Sequence, residues 1–281
     1  MKSVEDYVYL ESGVRIFYRC VAPENHDILV VILHGYTAHS GMYIHMAREL
    51  AGYGYAVCLY DQRGHGRTAQ GGDRGYVDSF EDYLKDLEQF TIFAQKSYGA
   101  KKAVLIGHSM GGLVALLYTA KYGRVGDAVV GIAPAVLIPV SVGARLVVGL
   151  LSVLSPRKRI KLPFTREQVE ALTKKLDKDL VDTIARDDLA LRDTTARLLS
   201  EIWRAASEYW KYVNRVDKPV MLIHGNEDNI IPVEASKRTY REIGSRIKEL
   251  KIYPGKGHTL IHEVGWRDVV KDISEWIEKI L

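Results

Sequence analysis

A chain of 281 residues, of which 26% are charged, has the length and composition of one large globular domain that carries an insertion. Its formal net charge of +4 without a long basic tract argues against nucleic-acid binding, and no stretch approaches the about eighteen apolar residues that span a bilayer. We expect no secretory signal at the N-terminus and no zinc site among the nine histidines, and at Cys20 and Cys58 we favour buried free thiols over the alternative of a disulfide.

Short apolar runs alternate with helical patterns along the chain. Strands are predicted near residues 6–10, 14–20, 28–33, 56–60, 103–107, 128–132, 219–224 and 249–253. Helices are predicted near residues 42–52, 79–98, 110–122, 234–243 and 266–280. This alternation is typical of an α/β fold in which helices flank a mostly parallel sheet, here of eight strands.

A Gly-His-Ser-Met-Gly segment at residues 107–111 lies where a predicted strand gives way to a predicted helix. In a G-x-S-x-G turn the serine is exposed on a strained backbone, and the glycines relieve the crowding where the chain doubles back. We therefore predict Ser109 to be a catalytic nucleophile.

The alternation is interrupted between the strands near 128–132 and 219–224 by a long helix-forming stretch. An insertion at this point would cover the carboxyl ends of the strands. We interpret residues 134–216 as a helical cap, or lid, over a core formed by residues 1–133 and 217–281.

The first helix predicted in this insertion, Val140 to Leu154, is apolar on nearly every side. Its polar residues, Ser141, Arg145 and Ser152, fall within one narrow stripe at 100° per residue. Such a helix must be buried, face lipid or pair with another molecule. The basic run from Arg157 to Lys161 suits either a solvated loop or contact with an anionic lipid surface.

A serine nucleophile needs a base and an acid that orients the base. Asp228 follows the predicted strand at 219–224 and is favoured as the acid over its neighbour Glu227. His258, on a Gly-rich loop after the last predicted strand, is favoured as the base over His262. The order Ser, Asp, His is that of an α/β-hydrolase.

Two backbone N–H groups are candidate donors for the oxyanion that such chemistry forms. The buried strand at 28–33 ends in a His-Gly-Tyr-Thr loop, in which the amide of Tyr36 is placed to donate. The residue after the nucleophile, Met110, supplies the second amide. His34 is interpreted as structural.

Four segments carry a family resemblance: His-Gly-Tyr-Thr-Ala-His-Ser-Gly-Met-Tyr at 34–43, Asp-Gln-Arg-Gly-His-Gly-Arg at 61–67, Gly-His-Ser-Met-Gly-Gly at 107–112 and Tyr-Pro-Gly-Lys-Gly-His-Thr-Leu-Ile-His-Glu at 253–263. With them the chain resembles the monoacylglycerol lipase and lysophospholipase-like branch of the α/β-hydrolases, from about residue 28 to residue 263 outside the middle section. The segment at 61–67 is interpreted as a structural turn. Tyr36 is bulkier than the small residue common in the family.

The resemblance implies a cofactor-free serine hydrolase that cleaves monoacylglycerol to glycerol and fatty acid through an acyl-enzyme on Ser109. It places the acid and base on Asp228 and His258, and the oxyanion amides on Tyr36 and Met110. A lysophospholipase, a thioesterase, a general carboxylesterase and a non-catalytic ligand-binding protein of the same fold are the alternatives. We expect a cytoplasmic protein whose cap touches micelles or the inner membrane surface, and the sequence predicts no oligomeric state.

Overall fold

A mostly parallel sheet lies at the centre of the protein. The computed structural model describes residues 1–162, 165–185 and 187–281. The strands are β1 (Lys2–Tyr9), β2 (Arg15–Ala22), β3 (Ile28–Leu33), β4 (Ala56–Tyr60), β5 (Lys102–His108), β6 (Ala128–Ile132), β7 (Arg159–Lys161), β8 (Asp193–Thr195), β9 (Val220–Gly225) and β10 (Lys248–Tyr253). The helices are α1 (Ile44–Gly52), α2 (Phe80–Tyr98), α3 (Met110–Lys121), α4 (Val142–Leu154), α5 (Arg166–Lys175), α6 (Lys178–Ala185), α7 (Ala196–Tyr209), α8 (Glu234–Glu242) and α9 (Trp266–Ile280).

Within these described ranges, eight strands form one sheet in the order β1-β2-β4-β3-β5-β6-β9-β10. β2 runs antiparallel to β1 and β4, and the pairs from β4 through β3, β5, β6 and β9 to β10 are parallel. All eight strands predicted from the sequence lie in this sheet, with bounds that differ from the predicted ones by a few residues.

Helices cover both faces of the sheet. α2 and α3 pack on one face through fully buried side chains such as Leu87 and Leu113. α1 and α9 pack on the other through Leu50 and Ile273. Because both faces are covered, the central strands are continuous apolar runs. The loops at the carboxyl ends of the parallel strands gather at one edge, where ligands bind in such sheets.

The expectation of two free thiols is wrong, because Cys20 and Cys58 form a disulfide. The two residues are directly opposite each other in the antiparallel β2–β4 pair, with Cα atoms 4.1 Å apart. Opposite residues in such a pair point to the same face of the sheet. The sequence did not show that β2 and β4 are neighbours, so it could not show that the cysteines meet.

Between β6 and β9 the chain forms α4, β7, α5, α6, β8 and α7. β7 and β8 pair antiparallel, and the sequence analysis missed them because three-residue strands are too short to show a period. α4 begins at Val142, two residues after its predicted start at Val140, because the hydroxyl of Ser141 caps it by accepting from the Ala144 N–H. No helix in the described part of the chain is long and apolar enough to cross a membrane.

Candidate active site

Ser109 lies on a tight turn between β5 and α3, with φ 52° and ψ −115°, a conformation that non-glycine residues rarely adopt. Glycines on either side make the turn possible. A Cβ on Gly107 would lie 2.2 Å from the carbonyl oxygen of Gly111, and one on Gly111 would lie 2.3 Å from that of Leu33. The G-x-S-x-G pattern therefore encodes a backbone that presents the serine at the strand edge.

The structure brings the three residues of the predicted triad together. Nε2 of His258 lies 2.9 Å from Oγ of Ser109, and Nδ1 of His258 lies 2.7 Å from Oδ2 of Asp228. Ser109 comes from the β5–α3 turn, Asp228 from the loop after β9 and His258 from the loop after β10. With the proton on Nδ1, the imidazole donates to Asp228 and accepts from the serine hydroxyl, which is the arrangement that general-base catalysis requires.

The carboxylate of Asp228 is fully buried and saturated with donors. One oxygen accepts from the N–H groups of Ile230 and Ile231 at 2.8 and 2.9 Å, and the other accepts from both His258 and His224. Burial by itself would raise the pKa of Asp228. The charge of His258 and the hydrogen bonds from both histidines outweigh burial and hold this pKa well below its ordinary value. Asp228 therefore stays ionised.

His224, at the end of β9, is a supporting residue that the sequence analysis missed. Its Nε2 lies 3.0 Å from both Oδ2 of Asp228 and the Ile231 carbonyl oxygen, so this nitrogen carries the proton. Its Nδ1 accepts from the hydroxyl of Ser236 at 2.7 Å. A histidine that ends an apolar strand four residues before the predicted acid was the available signal.

Neither Glu227 nor His262, the alternatives for the acid and the base, belongs to the triad. Glu227 points to solvent and forms an ion pair with Lys175 at 2.6 Å. His262 is buried, with Nε2 3.1 Å from the carbonyl oxygen of Met42, and burial lowers its pKa well below the ordinary value. The geometry favours Asp228 and His258.

The two predicted oxyanion donors flank the nucleophile. Met110 is the first residue of α3, where backbone N–H groups have no acceptor within the helix. Tyr36 lies in the loop that follows β3, and its carbonyl oxygen accepts from Nε2 of His65 at 2.6 Å. The turn at residues 61–67 therefore holds this loop in place. Both residues line the same cavity as Ser109.

A chain of hydrogen bonds behind the triad joins the segments that carry Gly35, His108 and His258. The Gly35 N–H donates to the hydroxyl of Tyr43 at 3.0 Å, and this hydroxyl donates to Nδ1 of His108 at 2.8 Å. Nε2 of His108 donates to the carbonyl oxygen of His258 at 2.9 Å. Burial and the charge of His258 lower the pKa of His108 to about 3, so it stays neutral and keeps these roles. The sequence analysis assigned no function to Tyr43 or His108.

An apolar cavity of about 130 Å³ opens above Ser109. Most of its wall comes from residues 134–216. The lining side chains are Tyr36, Ser109, Met110, Ala135, Ile138, Pro139, Val140, Gln168, Leu199, Ile202, Trp203, Ile230 and Ile231. None of these lining residues is acidic or basic, so the cavity suits an uncharged, largely apolar group.

Among the residues that the structure describes, no group of three or more His, Cys, Asp or Glu side chains could hold a metal ion.

Residues 24–265 match the Hydrolase_4 family model, described as serine aminopeptidase, S33. The chain is 29% identical to a monoacylglycerol lipase of Mycolicibacterium smegmatis over 276 residues, which cover 95% of this chain and 94% of that protein. It is 28% identical to the human monoglyceride lipase over 255 residues, which cover 89% of this chain and 82% of that protein.

Solved structures share the fold. The crystal structure of a monoacylglycerol lipase from Paleococcus ferrophilus superposes with a TM-score of 0.81 at 24% identity, covering 94% of this chain and 98% of that one. A soluble variant of the Saccharomyces cerevisiae monoglyceride lipase, in complex with a substrate analogue, superposes with a TM-score of 0.84 at 24% identity, covering 99% and 95%. The α/β-hydrolase fold predicted from the sequence is confirmed.

Proposed function

The chain belongs to the Hydrolase_4 (serine aminopeptidase, S33) family, and on this premise we propose that it is a serine hydrolase that cleaves monoacylglycerol to glycerol and fatty acid. The observation that carries the proposal is the Ser109–His258–Asp228 relay beneath an apolar cavity. The names of its relatives, monoacylglycerol and monoglyceride lipases at up to 29% identity, support the same substrate class.

The relay supplies both steps of the reaction. Oγ of Ser109 attacks the ester carbonyl carbon while Nε2 of His258 takes the hydroxyl proton, and the N–H groups of Tyr36 and Met110 stabilise the oxyanion. When the intermediate collapses, the carbon–oxygen bond to glycerol breaks and His258 returns the proton to the departing alkoxide. Water, deprotonated by His258, then attacks the acyl carbon; the bond to Oγ of Ser109 breaks, Oγ takes the proton back from His258, and the fatty acid leaves. Asp228 remains ionised throughout and stabilises the imidazolium.

The lining of the cavity favours an ester of a fatty acid over a peptide. An aminopeptidase must bind the ammonium group of its substrate, and the lining side chains that the structure describes include no carboxylate to pair with it. The side chains of Leu199, Ile202 and Trp203 instead offer an apolar wall to an acyl chain. Lysophospholipase, thioesterase and general carboxylesterase activities would use the same relay, but none of them has an observation here that favours it.

We also propose that residues 134–216 act as the cap expected from the sequence. They provide the greater part of the wall of the cavity above Ser109, which is itself 8% exposed. On this proposal the catalytic core consists of residues 1–133 and 217–281, which carry the triad and both oxyanion amides.

The outer surface of the cap offers a docking site for lipid aggregates. α4 turns its polar side chains toward the protein: Arg145 donates to the hydroxyl of Ser207 on α7, and Ser152 is buried. We call its exposed side chains the apolar face of α4; each is between 59% and 75% exposed, and they are Val142, Leu146, Val147, Leu150, Val153 and Leu154. Burial of one such side chain contributes roughly 1.5–3 kcal/mol, so several together can hold the protein at a micelle or membrane surface.

The basic run beside α4 contributes less to docking than its charge suggests. Arg157 forms an ion pair with Asp73, and Arg159 forms one with Asp193. Because these charges already have partners, we assign docking to the apolar face of α4.

A substrate panel tests the proposed function. We expect the purified protein to hydrolyse monoacylglycerols faster than di- or triacylglycerols, lysophospholipids or acyl thioesters, and to leave aminoacyl nitroanilides intact. The Ser109→Ala variant should be inactive on every ester. A preference for aminoacyl nitroanilides or lysophospholipids would overturn the assigned substrate, and equal activity of Ser109→Ala would overturn the nucleophile.

A further inference from the structure

A buried carboxylate lies behind the loop that carries His258. Glu263 is 2% exposed, and both of its carboxylate oxygens lie 3.0 Å from the backbone nitrogen of Gly257. Gly257 directly precedes His258 in the chain. The Gly257 N–H therefore donates to an acceptor that belongs to neither the relay nor the sheet.

The loop has little room between this carboxylate and the end of β9. A Cβ on Gly257 would lie 3.0 Å from Oε1 of Glu263, and one on Gly225 would lie 2.3 Å from the carbonyl oxygen of Lys256. The backbone of residues 256–257 is thus pressed between β9 on one side and Glu263 on the other. A shift of this backbone would move the imidazole of His258 away from Ser109.

The main chain around Glu263 is anchored independently of its side chain. The Asp177 N–H donates to the carbonyl oxygen of His262 at 2.8 Å, and the Val264 N–H donates to that of Lys175 at 3.2 Å. Residues 262–264 are therefore paired with the segment that follows α5. This pairing holds the carboxylate in place and connects the loop of His258 to residues 134–216.

We propose that Glu263 is a positioning residue for the hydrolase reaction: its carboxylate holds the Gly257 N–H and so keeps His258 in line between Asp228 and Ser109. The proposal rests on the proposed function, since it assigns a role within that relay. Glu263 itself touches no reacting atom.

The charges that face Glu263 come from three elements: Lys175 at the end of α5, Lys256 in the same loop, and Asp228 in the loop after β9. Burial raises the pKa of Glu263, against the opposing effects of the Gly257 N–H and the two lysines. An ionised acceptor forms a stronger hydrogen bond than a neutral one. Protonation of Glu263 in acid should therefore loosen the loop, in addition to the direct titration of His258.

Two substitutions, assayed with a short soluble aryl ester, test the role. Glu263→Ala removes the acceptor, and we expect kcat to fall about 100-fold with KM within about threefold, because small displacements of a catalytic group have effects of this size. Glu263→Gln keeps an amide oxygen that can accept from the Gly257 N–H, so kcat should recover to within about tenfold of the wild type. The acid side of its kcat–pH profile should be shallower than that of the wild type, because one titrating group is lost.

Glu201 supplies a matched control. It is a buried carboxylate that accepts from the Phe80 N–H at 2.8 Å and pairs with Arg204, away from the triad. We expect Glu201→Ala to keep kcat within about twofold, even where it lowers the unfolding temperature.

Several outcomes would overturn the positioning role: a Glu263→Ala variant with unchanged kcat, a Glu263→Gln variant whose acid profile matches the wild type, or an equal loss in Glu201→Ala. A wild type that neither hydrolyses the ester nor reacts with a fluorophosphonate at Ser109 would instead overturn the proposed function. The two failures are therefore distinguishable.

Discussion

The triad region and helix α4 are built on opposite patterns. Around Ser109 the polar groups point inward, and Asp228 and His108 each have hydrogen-bond partners at every side-chain atom that can form one. On α4 the side chains of Arg145 and Ser152 turn toward the protein and the apolar face turns to solvent, while Val148 is buried. The hydrogen bonds around Ser109 hold the reacting atoms in place. The apolar face of α4 instead leaves a surface that a micelle or membrane can cover. On this account changes near the triad affect all substrates alike, and changes on α4 affect only aggregated ones.

The largest effect is expected from the reacting pair itself. Ser109→Ala and His258→Ala should each lower kcat by about 10⁶-fold, and the double variant should be barely worse, because nucleophile and base act as one unit. The loss should be equal on long-chain monoacylglycerol and on a short soluble ester. Additive losses in the double variant would show that the two residues act independently.

The second largest loss of kcat is expected from substitution of the acid, Asp228. Asp228→Asn should lower kcat by about 10⁴-fold, because the amide favours the wrong tautomer of His258. Glu227→Gln is the matched control, since Glu227 points to solvent; it should keep kcat within about twofold. Steady-state kinetics on a soluble ester decide between them, and a greater loss in Glu227→Gln would contradict the assignment of Asp228.

Acid should destabilise the histidine-rich triad region. Burial lowers the pKa values of five histidines, and these are His34, His45, His65, His108 and His262. In the folded state protons bind to these histidines less readily than in the unfolded chain, where the imidazole pKa is about 6.5, so acid favours unfolding. Between pH 7 and pH 5 His108, whose pKa burial lowers to about 3, should by itself lower the free energy of unfolding by about 2 kcal/mol.

Asp86 acts in the opposite direction. Burial raises the pKa of Asp86 to about 6, so its contribution to the free energy of unfolding grows as the pH falls through that value. One carboxyl does not offset five imidazoles. Urea denaturation at both pH values measures the balance, and a protein that is equally stable or more stable at pH 5 would contradict the lowered pKa values of these histidines.

The smallest effect is expected on α4, and it should depend on the substrate. Leu146→Ser and Leu150→Ser should lower hydrolysis of micellar long-chain monoacylglycerol by about tenfold, as expected when one apolar contact with lipid is lost. A short soluble ester should be turned over as before. Tyr9→Ser, which removes an exposed side chain from the edge strand β1, is the control. Equal losses on both substrates would indicate a disturbed cap and not a lost docking surface.

Local patterns allowed much of the fold and of the candidate site to be predicted. The turn at Ser109 is encoded within five residues, and Asp228 and His258 each follow a strand with a clear apolar run. Some of the bonds that hold these residues could not be predicted, because the partners are distant in sequence. His108 donates to a carbonyl 150 residues away, and the Cys20–Cys58 disulfide depends on which strands are neighbours. On α4 the sequence predicted the polar stripe, but only packing against α7 decided that it faces inward.

The most direct test of the central claim is the site of reaction with a fluorophosphonate, found by mass spectrometry of peptides from the labelled protein. We predict a single adduct on Ser109, formed rapidly in the wild type, far more slowly in Asp228→Asn and at wild-type rate in Leu150→Ser. An adduct on another residue, or labelling that is slowed as much by Leu150→Ser as by Asp228→Asn, would contradict the separation between a catalytic region and a docking surface.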